Sequence, residues 1–328
     1  MGQTKKMLSG NKLRFLVLIV VTVSIVYLYS FFKVDTGYEE NFQEMFNRTY
    51  SVYALQLPDN IDFAGERVPM EYFDVKEHLD RELLVNTYWQ SSTLLLIKRA
   101  NRYFPMIEKI LMENEVPDDF KYLALAESGL MQTVSPKHAV GFWQFLKNTA
   151  KEYGLEVNSE VDERYNIEKS TEAACEYFKK AYDRFGNWTM AAASYNSGRA
   201  GLIKQIDRQD EDNYYNLLLN EETARYLYRI ISFKIILNDP AKYGFNYKTE
   251  DLYPPIRTRT IEVDSTINSM VGFARHFNLN YKTLKLFNPW LRETKLTNTK
   301  GKKYYIQIPY ESFRTDSYTP KIDPINLY

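Results

Sequence analysis

Val116-Pro117-Asp118-Asp119-Phe120-Lys121-Tyr122-Leu123-Ala124-Leu125-Ala126-Glu127-Ser128-Gly129 is the stretch on which the fold of this chain turns. Proline is preformed for a first helical turn, the two aspartates suit the positive end of a helix dipole, and glycine is a usual helix stop. Between these marks the segment is apolar nearly all round, as a helix inside a core is. Glu127 breaks that rule. It stands in an apolar wall at the negative end of the dipole, and both effects disfavour its ionised form and push its pKa upward. A carboxyl protonated near neutral pH is what a general acid requires. Asp118 and Asp119 belong to the far end of the helix, about 12 to 14 Å away at about 1.5 Å per residue, and make poor second carboxylates.

Working outward, residues from Leu94 to about Tyr243 read as helix after helix. Thr171 to Phe185 puts Ala173, Ala174, Tyr177, Phe178, Ala181, Tyr182 and Phe185 on one face, with Glu172, Glu176, Lys179, Lys180 and Asp183 opposite. Cys175 lies at the edge of that face with no activating His or Asn nearby in sequence, so it reads as structural. The whole chain has 328 residues, 45% of them hydrophobic and 26% charged, with a mean hydropathy of -0.45, and can bury a core. Forty-two basic residues balance 42 acidic ones, which leaves no broad field to hold a polyanion, and nucleic acid is not an expected partner. One cysteine and three histidines supply neither a disulfide framework nor a thiolate or His-rich metal centre, and no cofactor is expected.

Further along stand Ser135-Pro136, Gly141-Phe142-Trp143-Gln144-Phe145-Leu146, Asp162-Glu163-Arg164, Ala191-Ala192-Ala193-Ser194-Tyr195-Asn196-Ser197-Gly198 and Glu222-Thr223-Ala224-Arg225-Tyr226. Gly141 allows close backbone approach, and Gln144 and Asn196 offer amides that can hold an N-acetyl or hydroxyl group. Tyr195 and Trp143 can stack on a sugar or fill a core; for Trp143 the core is the better reading. Asp162 and Arg164 read as a structural ion pair or cap. Taken together with Glu127-Ser128-Gly129 and in this order, these motifs resemble the family 1 lytic transglycosylases, lysozyme-like enzymes that cut bacterial peptidoglycan, and among them the membrane-bound D branch. The resemblance covers roughly residues 101 to 236. It implies a mainly α fold with a lysozyme-like catalytic domain. It further implies Glu127 as acid and base, Ser128, Ser135, Gln144, Tyr195 and Asn196 along the saccharide groove, and Tyr226 supporting the Glu127 carboxyl. The implied chemistry is protonation of the oxygen between MurNAc and GlcNAc, followed by closure of the MurNAc C6 hydroxyl on C1 to give a 1,6-anhydro end. Two alternatives stay open: a hydrolytic muramidase on the same fold, and a non-catalytic cell-wall scaffold.

Phe15 to Phe32 carries no charged residue, and at about 1.5 Å per residue it nearly crosses a hydrocarbon core of about 30 Å. Lys5, Lys6, Lys12 and Arg14 precede it, so the positive-inside bias places the bulk of the protein outside the cytoplasm, and Tyr27 to Phe32 shows no small-x-small cleavage pattern. The expected organisation is an uncleaved inner-membrane anchor over 1–34, a loosely packed stalk over 35–90 and the catalytic domain over 91–245. A linker over 246–256 then leads to a small module over 257–310 and a tail over 311–328. Tyr253-Pro254-Pro255 marks the boundary. Behind it Arg257 to Val263 and Lys303 to Ile308 alternate as strands, while Thr266 to Phe277 and Tyr281 to Phe287 read as helices. That strand-helix-helix-strand order, with Glu262-Val263-Asp264-Ser265-Thr266-Ile267 and Asn288-Pro289, resembles a diverged LysM domain, which implies a unit for N-acetylglucosamine chains. The expected partners are thus peptidoglycan glycan strands and, through the N-terminal helix, a membrane.

Overall fold

Polar caps and glycine stops cut this chain into short helices. Asn166, Asn187, Asn220 and Asn280 each accept a hydrogen bond from the backbone N–H three residues on, at Lys169, Met190, Thr223 and Thr283. Such a cap contributes about 1 kcal/mol to its helix. At the other end Gly129 and Gly186 take the left-handed conformation that stops a helix.

The structure, a computed structural model, describes residues 10–49 and 51–310, which divide into two compact units that part between Ala54 and Leu55. In the first, α1 runs unbroken over Gly10–Thr49, and the side chains from Phe15 to Tyr29 that are described are exposed. Among the described residues no helix is long and apolar enough to cross a membrane. The charge-free run continues through Ser30, Phe31 and Phe32, whose side chains lie outside the described residues. The tail over 311–328 lies outside them as well.

The second unit begins with a small hairpin, β1 (Asp62–Phe63) and β2 (Glu66–Arg67). Helices α2 (Phe73–Tyr88), α3 (Gln90–Glu113), α4 (Phe120–Ser128), α5 (Lys147–Glu152), α6 (Ile167–Phe185), α7 (Trp188–Ser197), α8 (Arg199–Gln209) and α9 (Glu221–Asn238) follow. Phe120, Trp143, Phe178 and Tyr226 are among the largest side chains wholly buried in their common core. The expected apolar face of α6 is largely buried, with Tyr182 at its exposed margin against Trp188.

Residues 55–88, expected as part of a loose stalk, are instead built into this core. Phe63, Val75, Leu79 and Leu83 have no exposed surface. Val75, Leu79 and Leu83 form an i, i+4, i+8 stripe on α2, and the buried polar residues Glu82, Asn86 and Thr87 beside it mask the apolar period in sequence. Two of those polar groups have partners on α9: Asn86 donates to Ser232 Oγ at 2.7 Å, and Glu82 accepts from Arg225 Nε at 2.8 Å.

The C-terminal module has the expected order, β3 (Thr258–Val263), α10 (Met270–His276), α11 (Tyr281–Phe287) and β4 (Tyr304–Pro309), with β3 and β4 antiparallel. Helix α10 starts later than the periodicity predicts because Ser269 caps it, its Oγ accepting from Gly272 N–H, while Ile267 bridges to Leu296. The stretch read as a linker is strapped to α3: Asn101 and Arg102 donate to the carbonyls of Tyr253 and Pro254, both at 3.0 Å. The module itself packs on the helical domain, where Val140, Val161 and Tyr165 share a second buried core with Trp290, Leu291 and Ile306.

Candidate active site

Helix α4 brings Glu127 to its C-terminal turn and ends on Gly129, at φ 60°. A side chain at Gly129 would meet Leu96 Cδ2 at 3.0 Å, so close packing and backbone conformation both favour glycine. The acids at the start of the helix are occupied elsewhere. Asp118 pairs with Lys121, while Asp119 accepts from Ala64 N–H at 2.6 Å and Lys234 Nζ at 2.7 Å.

Tyr226, buried on α9, donates its hydroxyl to Glu127 Oε1. Burial among the surrounding side chains is the largest influence on Glu127 and raises its pKa to about 7, against opposing pulls from the Tyr226 hydrogen bond and the Arg229 charge. Glu222 adds to the upward push. Burial, aided by the Glu127 charge, holds the Tyr226 phenol well above its ordinary range, so it remains a hydrogen-bond donor. Glu222, which opens the motif that ends on Tyr226, is assigned no role in sequence, and Arg229 lies outside that motif. Their signal was helical spacing: they stand four residues before and three after Tyr226, positions that share its helix face.

Of the remaining expected site residues, Tyr195 and, through Glu222, Asn196 are tied to this centre, while Ser135 and Gln144 bond within their own loop. Ser128 is buried and turns its hydroxyl back to Ala124 O at 3.3 Å. Ser135 Oγ accepts from Ala139 N–H at 3.0 Å within a tight turn. Gln144, at φ 48°, spends its amide N–H groups on Gly141 O at 2.7 Å and on Thr133. No bond to its Oε1 is found among the described residues. Asn196 is tied to the start of α9, accepting from Thr223 Oγ1 at 2.9 Å and donating to Glu222 at 3.3 Å. Tyr195 donates to Trp143 O at 2.6 Å and packs against Tyr177 and Phe178. Its phenol lies close enough to Glu127 for the two charges to interact.

Trp143 is wholly buried and donates Nε1–H to Thr171 Oγ1 at 2.8 Å, a core role. Cys175 is wholly buried too, and burial pushes its thiol up to about 12, far from a thiolate at neutral pH. Asp162 and Arg164 form both the pair and the cap expected of them, Arg164 Nε and Nη2 meeting the two carboxylate oxygens at 2.9 and 2.8 Å while Arg164 N–H reaches Oδ1 at 3.2 Å.

Helix α4 thus ends on a half-buried glutamate bonded to a tyrosine in a helical core, and a βααβ module follows. Residues 104–218 match the transglycosylase SLT domain, and residues 259–312 match the soluble lytic transglycosylase C-terminal LysM-like domain. The chain therefore carries an SLT domain followed by a LysM-like domain. The SLT match includes Glu127, Gln144 and Asn196 and stops short of Tyr226.

Among individual proteins, the chain is 25% identical over 256 residues to membrane-bound lytic murein transglycosylase D of Escherichia coli strain K12, and equally to that of Escherichia coli O6:H1 strain CFT073. The alignment takes in 75% of this chain and 55% of each relative, so the chain spans about half the length of the curated relatives it matches.

Proposed function

We propose that this chain is a peptidoglycan lytic transglycosylase that cleaves the MurNAc-GlcNAc β-1,4 bond without water. The observation that carries the reading is Glu127: one carboxyl, held by the Tyr226 hydroxyl, with a pKa raised to about 7. Near neutral pH such a group is populated in both forms. Its protonated form gives a proton to the leaving glycosidic oxygen, and its carboxylate then takes the proton of the MurNAc C6 hydroxyl as that oxygen closes on C1. The substrate's own N-acetyl group stabilises the developing positive charge. An intramolecular hydroxyl competes with water because its effective molarity reaches about 10⁵ M or more when the ring is well held. Gln144 Oε1 and the Asn196 amide are the groups proposed to hold it, with Ser135 and Tyr195 beside them. The SLT match and the two E. coli relatives support the same reading.

The N-terminal helix is proposed as an inner-membrane anchor that leaves the catalytic unit in the periplasm. The charge-free run from Phe15, the lysines before it and the membrane-bound relatives support this.

Product mass tests the chemistry. Purified sacculi digested by the wild type should release muropeptides with anhydro ends, one water lighter than reducing ends, and Glu127→Gln should release none. Reducing ends would turn the assignment to a hydrolytic muramidase, and binding to sacculi with no release at all would turn it to a scaffold.

A further inference from the structure

The loop over 132–146, which carries Ser135 and Gln144, is short of regular structure; Phe142, Trp143 and Phe145 root one end of it in the helical core, and its other side is held by the neighbouring segment 160–165. Arg164 Nη1 donates to the carbonyls of His138 and Phe145, both at 3.2 Å, while Nε and Nη2 grip Asp162. Gln132 donates to Tyr165 O at 2.9 Å at the near end of the loop. Gly141, at φ 81°, lies so close to this segment that an added Cβ would stand 2.1 Å from Arg164 O.

The clamping segment is in turn held by the LysM-like module. Asp162 N–H donates to Trp290 O at 2.9 Å, Val161 bridges to Leu291, and Arg292 N–H donates to Glu160 O at 2.7 Å. The Glu160 carboxylate accepts from Thr297 N–H at 2.6 Å and Thr297 Oγ1 at 3.0 Å, and the Arg292 guanidinium lies 4.1 Å from the Tyr165 ring centre. Val140, in the middle of the loop, is buried in the same core as Leu291.

We propose that the LysM-like module is a positioning element of the catalytic groove: docked through Trp290, Leu291 and Thr297, it fixes the Asp162–Arg164 clamp and so holds the loop that presents Ser135 and Gln144 to the glycan. The module is then part of the groove's frame, in contrast to a tethered domain that only raises local substrate concentration. This rests on the proposed glycan-cleaving function for its kinetic consequence, and on packing alone for its effect on the loop.

Val161→Asp in the full chain tests it, since the charge enters the interface from the catalytic side and leaves the module's own sheet and helices untouched. Amide hydrogen exchange over 133–145 should quicken at least tenfold. With a short muroglycan that fills only the catalytic groove, KM should rise about fivefold or more, while the alkaline limb of the pH profile, set by Glu127, stays in place. A role confined to general stability would not separate these readouts. Should Val161→Asp fail to fold, the rim double variant Glu160→Ala/Thr297→Val should show the same pattern, with about threefold faster exchange. Unchanged protection over 133–145 in whichever variant folds overturns the proposal, as does an unchanged KM on the short glycan despite faster exchange. If the wild type releases no muropeptides, the function fails instead, and the exchange measurement still decides the packing claim.

Discussion

Glu127 and Glu82 are both withdrawn from bulk water, and the chain treats them in opposite ways. Glu82, 1% exposed, accepts from Arg81 Nη1 at 2.6 Å and Arg225 Nε at 2.8 Å. Glu163, 2% exposed, is similarly bonded to Lys169. Glu127 has no cation bonded to it among the described residues; its partner is the neutral hydroxyl of Tyr226. A bonded cation brings a full charge that favours the ionised carboxylate, whereas a neutral donor favours it more weakly and leaves burial to raise the Glu127 pKa. Burial by itself therefore does not distinguish the two; under the proposed function, the choice of partner marks Glu127 as the acid and Glu82 as part of the scaffold.

The sharpest way to break this contrast is to replace each glutamate by its amide. Glu127→Gln should lower muropeptide release from sacculi by about 10³-fold, within the usual range for losing a general acid. Glu82→Gln, measured per folded molecule, should keep release within about threefold of wild type. Equal losses from the two would show that their different partners have no catalytic meaning.

The raised pKa of Glu127 also sets how stability follows pH. The Glu127 pKa is raised from 4.5 to about 7 in the folded protein, so between those values the folded state keeps a proton that the unfolded chain has released. Its contribution to stability is present below about pH 4.5, is lost as pH rises through 7, and amounts to about 3 kcal/mol at about 1.4 kcal/mol per unit. Glu127→Gln, which mimics the neutral form, should accordingly melt above wild type at pH 8, with the gap closing toward pH 4.5. A gap that does not change with pH, read by calorimetry, would contradict the raised pKa.

Glu82→Gln should instead destabilise at pH 7 by about 2 kcal/mol in urea unfolding. That is below the usual cost of breaking a buried pair, because the side chains of Arg81 and Arg225 keep 46% and 30% of their surface and regain solvent. A variant as stable as wild type would show that Glu82 does not fasten α2 to the start of α9.

Much of this arrangement is local enough to be read in sequence. Glu127 announces itself as a charge in an apolar helix that ends on glycine, and the polar and glycine signals around Asp162, Gly141 and Asn288 act over a few residues. The strand-helix-helix-strand order of the last module is likewise carried by short-range period. What the sequence hides is contact between distant elements. The stripe of α2 is interrupted by Glu82 and Asn86, whose polarity makes sense only once Arg225 and Ser232 of α9 are opposite them. Val161 and Tyr165 flank the Asp162-Glu163-Arg164 motif but complete the core of the LysM-like module, and no local pattern marks them for it. Arg229 and Glu222 acquire meaning only when Tyr226 meets a glutamate 99 positions away.

The smallest expected effect is also the most specific. Tyr226→Phe keeps the ring that fills the core and removes only the hydroxyl that favours ionised Glu127. With that bond gone the Glu127 pKa should rise further above 7, since burial acts unopposed by it, and the alkaline limb of kcat/KM should move to higher pH. Release at pH 6 should fall about tenfold because the carboxyl loses its orienting partner, a loss of about 1.4 kcal/mol in transition-state stabilisation. The direction of the limb carries the test. A limb that moves down or stays fixed in the Tyr226→Phe pH profile would mean that the tyrosine does not hold the carboxylate, and Glu127 would differ from Glu82 only in lacking a cation.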